Sequence, residues 1–78
     1  MDKITFQQIM DNLSCGREIE FSYHGKLYSI TTSQGFWNFC CGDRLLEKIC
    51  SFEDKDALVK KVAMYRIDDI SIPDIFDG

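Results

Sequence analysis

The chain is 78 residues long, 45% hydrophobic and 13% aromatic. That length accommodates one domain, residues 1–78. Thirteen acids against nine bases leave a net charge of −4 and a pI near 4.7. A surface so balanced argues against a nonspecific grip on nucleic acid and against docking on anionic membranes, since both need excess positive charge. No apolar run approaches the ~20 residues of a membrane helix, and no signal-peptide pattern opens the chain, so a cytoplasmic location is expected.

The first predicted element is a helix beginning at Ile4-Thr5-Phe6-Gln7-Gln8-Ile9. Thr5 can cap it, and Gln8, three positions on, can reach back to the cap. Ile4 and Ile9 stand at the two staple positions that would fix the entering chain. Phe6, Ile9, Met10 and Leu13 recur at i, i+3, i+4 and i+7, which gathers them on one helical face. Gly16 is placed to end the helix.

The stretch REIEFSYHGKLYSITTSQGFWNFCC, residues 17–41, predicts three antiparallel strands. His24-Gly25 suits a two-residue type I′ turn, which would pair Tyr23 with Lys26, Phe21 with Tyr28 and Ile19 with Ile30. Gln34-Gly35 suits a second such turn, pairing Ile30 with Phe39 and Thr32 with Trp37. Both turns put the rings and aliphatic side chains on one side, joined by Cys41. Glu18, Glu20 and Ser22 fall on the other side. A one-residue slip would carry Phe21 and Ile19 into water, so alternation and turn chemistry specify one register. A sheet with one apolar side needs a cover on that side alone, and the first helix is the expected cover.

Gly42-Asp43 marks a further turn. Residues 44–50, RLLEKIC, support two readings. As a fourth strand they place Leu46 opposite Phe39; as a helix they group Leu45, Leu46, Ile49 and Cys50. The adjoining turn and the downstream cap favour the strand. Ser51-Phe52-Glu53-Asp54 then starts a second helix, capped by Ser51, with acids in its first turn and Lys60 and Lys61 near its C-terminal end. Its stripe is Leu58, Val62 and Tyr65. Asp68-Asp69 is expected to turn the chain between Ile67 and Ile70. Pro73 suits the first position of a short helical turn reaching Asp77. Ile70, Ile72, Ile75 and Phe76 are too apolar for a free tail and should either pack on the body or meet another chain. The expected fold is α+β: a helix, an antiparallel meander of three or four strands, a helix and a short C-terminal helical turn, with the helices on one face of the sheet.

GREIEFSYHGKLYSI, the tryptophan-bearing strand after it and RIDDISIPDIF near the end resemble a loose group of short proteins of Gram-positive bacteria and their prophages. The resemblance implies a bacterial cytoplasmic protein. The group has no assigned activity, so no catalytic residue carries over.

The side chains able to do chemistry have competing structural roles. Cys15, Cys40, Cys41 and Cys50, with His24, hold the atoms zinc prefers but lack the C-x2-C knuckles that deliver four ligands to one point. Adjacent Cys40 and Cys41 should point to opposite sheet faces, and C-x-x-C is the usual dithiol spacing. Free thiols packed as small buried hydrophobes are expected, and no metal or other cofactor. His24, the single histidine, sits at a predicted hairpin tip with no orienting acid or nucleophile implied beside it. Asp68, Asp69, Asp74 and Asp77 do not follow the calcium-loop spacing. Nothing places one of a pair of acids in an apolar pocket, as hydrolysis would require. No catalytic constellation emerges.

A binding role remains: a small non-catalytic module for a protein partner, with self-association to a homodimer as one form. Its candidate contact residues are Phe36 and Trp37 if exposed, with Ile72, Ile75 and Phe76, because aromatic and large apolar groups carry interface energy. Core packing is the competing role, especially for Trp37. Two further alternatives are an acidic surface that imitates a phosphate backbone, using Glu18, Glu20 and the C-terminal aspartates, and a cysteine-based metal or redox protein.

Overall fold

The first helix forms where its capping chemistry lies. The structure, a computed structural model, describes residues 4–77. Helix α1 (Phe6–Ser14) opens on a complete capping box. The Gln8 N–H donates to Thr5 Oγ1 at 3.2 Å, and the Thr5 N–H donates to Gln8 Oε1 at 2.8 Å. At the far end the Gly16 N–H donates to Leu13 O and the Arg17 N–H to Asn12 O, the paired bonds of a Schellman motif. Gly16 occupies the left-handed region there, at φ +83°. Ile9 and Leu13 are buried, with Phe6 and Met10 packed beside them. Ile4 stays exposed, so Ile9 alone of the expected staple joins the core.

Strands β1 (Ile19–Tyr23), β2 (Lys26–Ser33), β3 (Phe36–Cys41) and β4 (Arg44–Ser51) form one antiparallel meander in the order β1-β2-β3-β4. The first two hairpins have the predicted registers, including Phe21 opposite Tyr28, Ile30 opposite Phe39 and Thr32 opposite Trp37. Both central residues of each turn have positive φ: His24 and Gly25, then Gln34 and Gly35. That backbone twist matches the twist of the strands it joins.

The fourth strand exists, but its register departs from the simple expectation. Phe39 lies opposite Glu47, not Leu46. One extra residue is inserted at Leu46 and another at Ile49, so β4 carries two bulges against β3. The first bulge leaves Leu46 43% exposed. It also brings the Glu47 carboxylate to the Tyr65 hydroxyl, which donates to it at 2.8 Å. The second falls at Ile49 itself, which is buried in the core at 1% exposure.

Helix α2 (Lys55–Met64) starts later than predicted. Ser51 belongs to β4, and the Phe52 N–H extends the ladder by donating to Gly35 O at 2.8 Å. Asp54 is the actual cap, accepting from the Ala57 N–H at 3.1 Å. Leu58 and Val62 are fully buried, and Tyr65 follows the helix in extended backbone. The Asp68-Asp69 turn joins two short strands, β5 (Arg66–Ile67) and β6 (Ile70–Ser71), a small hairpin that the sequence reading lacked. Helix α3 (Ile72–Asp77) follows. Pro73 is its second residue, and Ser71 Oγ accepts from the Asp74 N–H as a cap would. Ile72 and Phe76 are buried and Ile75 packs on the core, whereas Ile70 remains exposed.

The three helices cover one sheet face. Phe21, Tyr28 and Phe39 stack in a row across three strands, at centroid separations of 5.5 and 6.0 Å. Tyr65 stacks on Phe39 at 5.4 Å, and Phe76 meets Phe21 edge-on at 5.0 Å. Trp37 is wholly buried, lies under Phe52 and donates its indole N–H to Phe52 O at 3.2 Å.

Two stability predictions follow from this packing. Leu58→Ala should lower the unfolding free energy by about 2–5 kcal/mol, the usual cost of a core truncation, whereas Leu45→Ala on the uncovered face should change it by no more than about 0.5 kcal/mol. Equal losses in urea titrations would contradict the assignment of the core. A Cβ at Gly16 would meet nothing closer than Lys55 Nζ at 3.7 Å, so its cost is purely conformational. Gly16→Ala should lose about 1–2 kcal/mol, and Gly16→Asn less, as read by chemical denaturation.

Candidate functional site

With every helix on one side, the opposite face of the sheet has no cover from the described residues. The register sets its side chains. Ser29 lies opposite Cys40 and Cys40 opposite Leu45; Thr31 lies opposite Asn38 and Asn38 opposite Lys48. Between β2, β3 and β4, Thr31, Phe36, Asn38, Cys40, Leu45 and Lys48 line a shallow depression of about 380 Å³. Phe36 is 37% exposed and Leu45 54% exposed at its two ends.

Asn38 forms the floor. It is only 9% exposed although it stands on the uncovered face. Its Nδ2 donates to Phe36 O at 3.2 Å, its one hydrogen bond to a described residue. A buried amide of this kind holds a fixed pair of donor and acceptor atoms toward whatever sits above it. Beside it the Lys48 ammonium rests 4.3 Å from the centre of the Phe36 ring, a cation–π contact that pins the charge at the rim. Among the described residues, Lys48 is the only charged one lining the depression.

Of the residues named from sequence as contacts, Phe36 alone stands at this surface. Trp37 and Ile72 are fully buried, Phe76 is nearly so, and Ile75 is partly buried against the core. Core packing is their role in this fold. Sequence reasoning missed Asn38, Leu45 and Lys48. Asn38 did carry a signal: asparagine is depleted in strand interiors, yet here it interrupts the run Phe36-Trp37-Asn38-Phe39. Leu45 and Lys48 lie within residues 44–50, where the sequence supports a helix beside the favoured strand.

The thiols are dispersed. Cys40 lines the depression, Cys41 packs toward the core, and Cys15 is exposed at the end of α1. Among the described residues no three of the His, Cys, Asp or Glu side chains converge on a point where a metal could be held. Cys50 lies at the seam of β4 and α2, its Sγ 3.5 Å from Asp54 O. Burial, and then the charge of Asp54, push its thiol above the ordinary range, with Lys61 opposing. A thiol held protonated is a poor nucleophile. In the same seam burial, followed by the hydrogen bond to Glu47, holds the Tyr65 phenol well above its usual value. Lys61 Nζ donates to Ile49 O at 2.9 Å. These contacts fasten the helix to the edge strand.

His24 stacks on Tyr23 at 3.9 Å, with Nδ1 3.5 Å from Asp68 Oδ2. Both partners are mostly solvated, and exposed ion pairs contribute little.

At neutral pH Cys50 should react with iodoacetamide about ten times more slowly than Cys15, because thiolate fraction and access both fall on burial. Peptide mapping after timed alkylation measures the ratio, and equal rates would contradict the protected seam. Comparison with known proteins adds nothing to this geometry, for the chain matches no protein-family model, no curated protein and no solved structure.

Proposed function

We propose that the chain is a small non-catalytic module that binds a protein partner through the uncovered face of its sheet. The observation that carries this reading is the depression itself, where exposed Phe36 and Leu45 flank the buried amide of Asn38. Apolar surface beside fixed polar atoms favours association with another protein. The resemblance to short bacterial and prophage proteins suggests a cytoplasmic setting in a bacterial cell.

The alternative of a phosphate-mimicking acidic surface draws less support. The depression is lined by a lysine and by no acid, and Glu18 is engaged elsewhere. Its carboxylate accepts from the Thr32 N–H at 2.7 Å and from the Thr32 hydroxyl at 3.1 Å.

A photoreactive phenylalanine analogue tests the reading when placed at position 45, with position 64 as control. Met64 is 77% exposed on α2, away from the sheet face. In cells expressing the protein, position 45 should give a discrete cross-linked species and position 64 should not. A product of twice the chain mass would identify the homodimer. Equal yields at the two positions, or none at position 45, would remove the sheet face as the contact surface.

A further inference from the structure

We infer that the depression takes an extended segment of the partner protein in which a carboxylate side chain lies between two apolar ones at alternate positions. This rests on the protein-binding reading and specifies its ligand. Three observations lead to it.

The first is charge. The chain carries a net charge of −4, so the molecule as a whole disfavours an acidic segment. The depression is lined by one ammonium and no carboxylate. Among the described residues no carboxylate lies within ion-pairing distance of Lys48, and the Phe36 ring holds that ammonium in place. An anionic group on the partner completes it.

The second is the amide of Asn38. It is nine-tenths buried, lines the depression, and spends one hydrogen bond on Phe36 O. The remaining donor and acceptor match the N–H and C=O of a peptide group.

The third is spacing. Phe36, Asn38 and Cys40 are alternate residues of β3, with Lys48 beside Asn38 and Leu45 beside Cys40. Alternate residues of a strand stand about 7 Å apart. The floor therefore reads apolar, amide, apolar, with the Lys48 ammonium reaching from the row of the amide over the Phe36 ring. A second extended chain lying along β3 repeats that interval, so its positions i, i+2 and i+4 meet Phe36, Lys48 and Leu45 in turn. Pairing with the edge of β4 is the less favourable mode, because two bulges break the regular row of donors and acceptors there.

The experiment uses three synthetic peptides with the core Leu-Thr-X-Thr-Leu, where X is glutamate, glutamine or lysine. Each is titrated into isotopically labelled protein while backbone amide signals are followed by NMR. The glutamate peptide should shift Thr31, Asn38 and Cys40 and should bind about two- to five-fold more tightly than the glutamine peptide, the range of a partly exposed ion pair. The lysine peptide should be weakest. Lys48→Met should abolish the gap between glutamate and glutamine, and Lys48→Gln should do the same if the first variant perturbs the fold. Equal binding of all three peptides at those amides would overturn the carboxylate assignment and leave the protein-binding reading in place. Absence of shifts at Thr31, Asn38 and Cys40 with every peptide would overturn the inference, and the cross-linking result would then decide the broader reading alone.

Discussion

The fold depends on one row of stacked rings. Phe21, Tyr28 and Phe39 cross three strands in sequence, and Tyr65 and Phe76 bring the two C-terminal helical segments to either end of that row. Aromatic pairs at such separations contribute about 0.5–1.5 kcal/mol each beyond the area they bury. More important is what the row forbids. A slip of one residue in either hairpin would send alternate rings to the opposite face and leave the helices nothing to cover. The sheet register, the helix docking and the position of the C-terminal segment are therefore solved together.

Much of this was readable from residue order because the determinants are local. His24-Gly25 and Gln34-Gly35 set turn geometry, and the alternation on either side agrees with it, so two registers follow from about twenty residues. Thr5 and Gln8 set the start of α1 in the same way. What escaped is decided at long range. The bulges of β4 answer to Tyr65, which claims Glu47, and to the core, which claims Ile49. Neither demand is visible within residues 44–50. Ser51 has the chemistry of a cap, but the strand extends through it because Phe52 stacks over Trp37 and bonds to Gly35. Asp54 then inherits the role.

The candidate site was less legible than the core for a related reason. Large apolar residues appear alike in sequence whether they pack or bind. Trp37 and Ile72 drew notice for their size and proved to be interior, while the depression owes its character to Asn38 and Lys48, whose meaning depends on a strand pairing. Stability and the proposed recognition thus lie on opposite sides of one sheet. Substitutions on the uncovered side leave the ring stack undisturbed.

One contact joins residues that are distant along the chain. The first turn of α1 contains no acid, and the Phe6 N–H donates instead to Asp77 Oδ1, at 3.0 Å, across 71 positions. The carboxylate satisfies an orphan amide and complements the positive end of the helix. Residues 6 and 77 are thereby held side by side. The first and last helices are stitched to each other, closing the fold on itself.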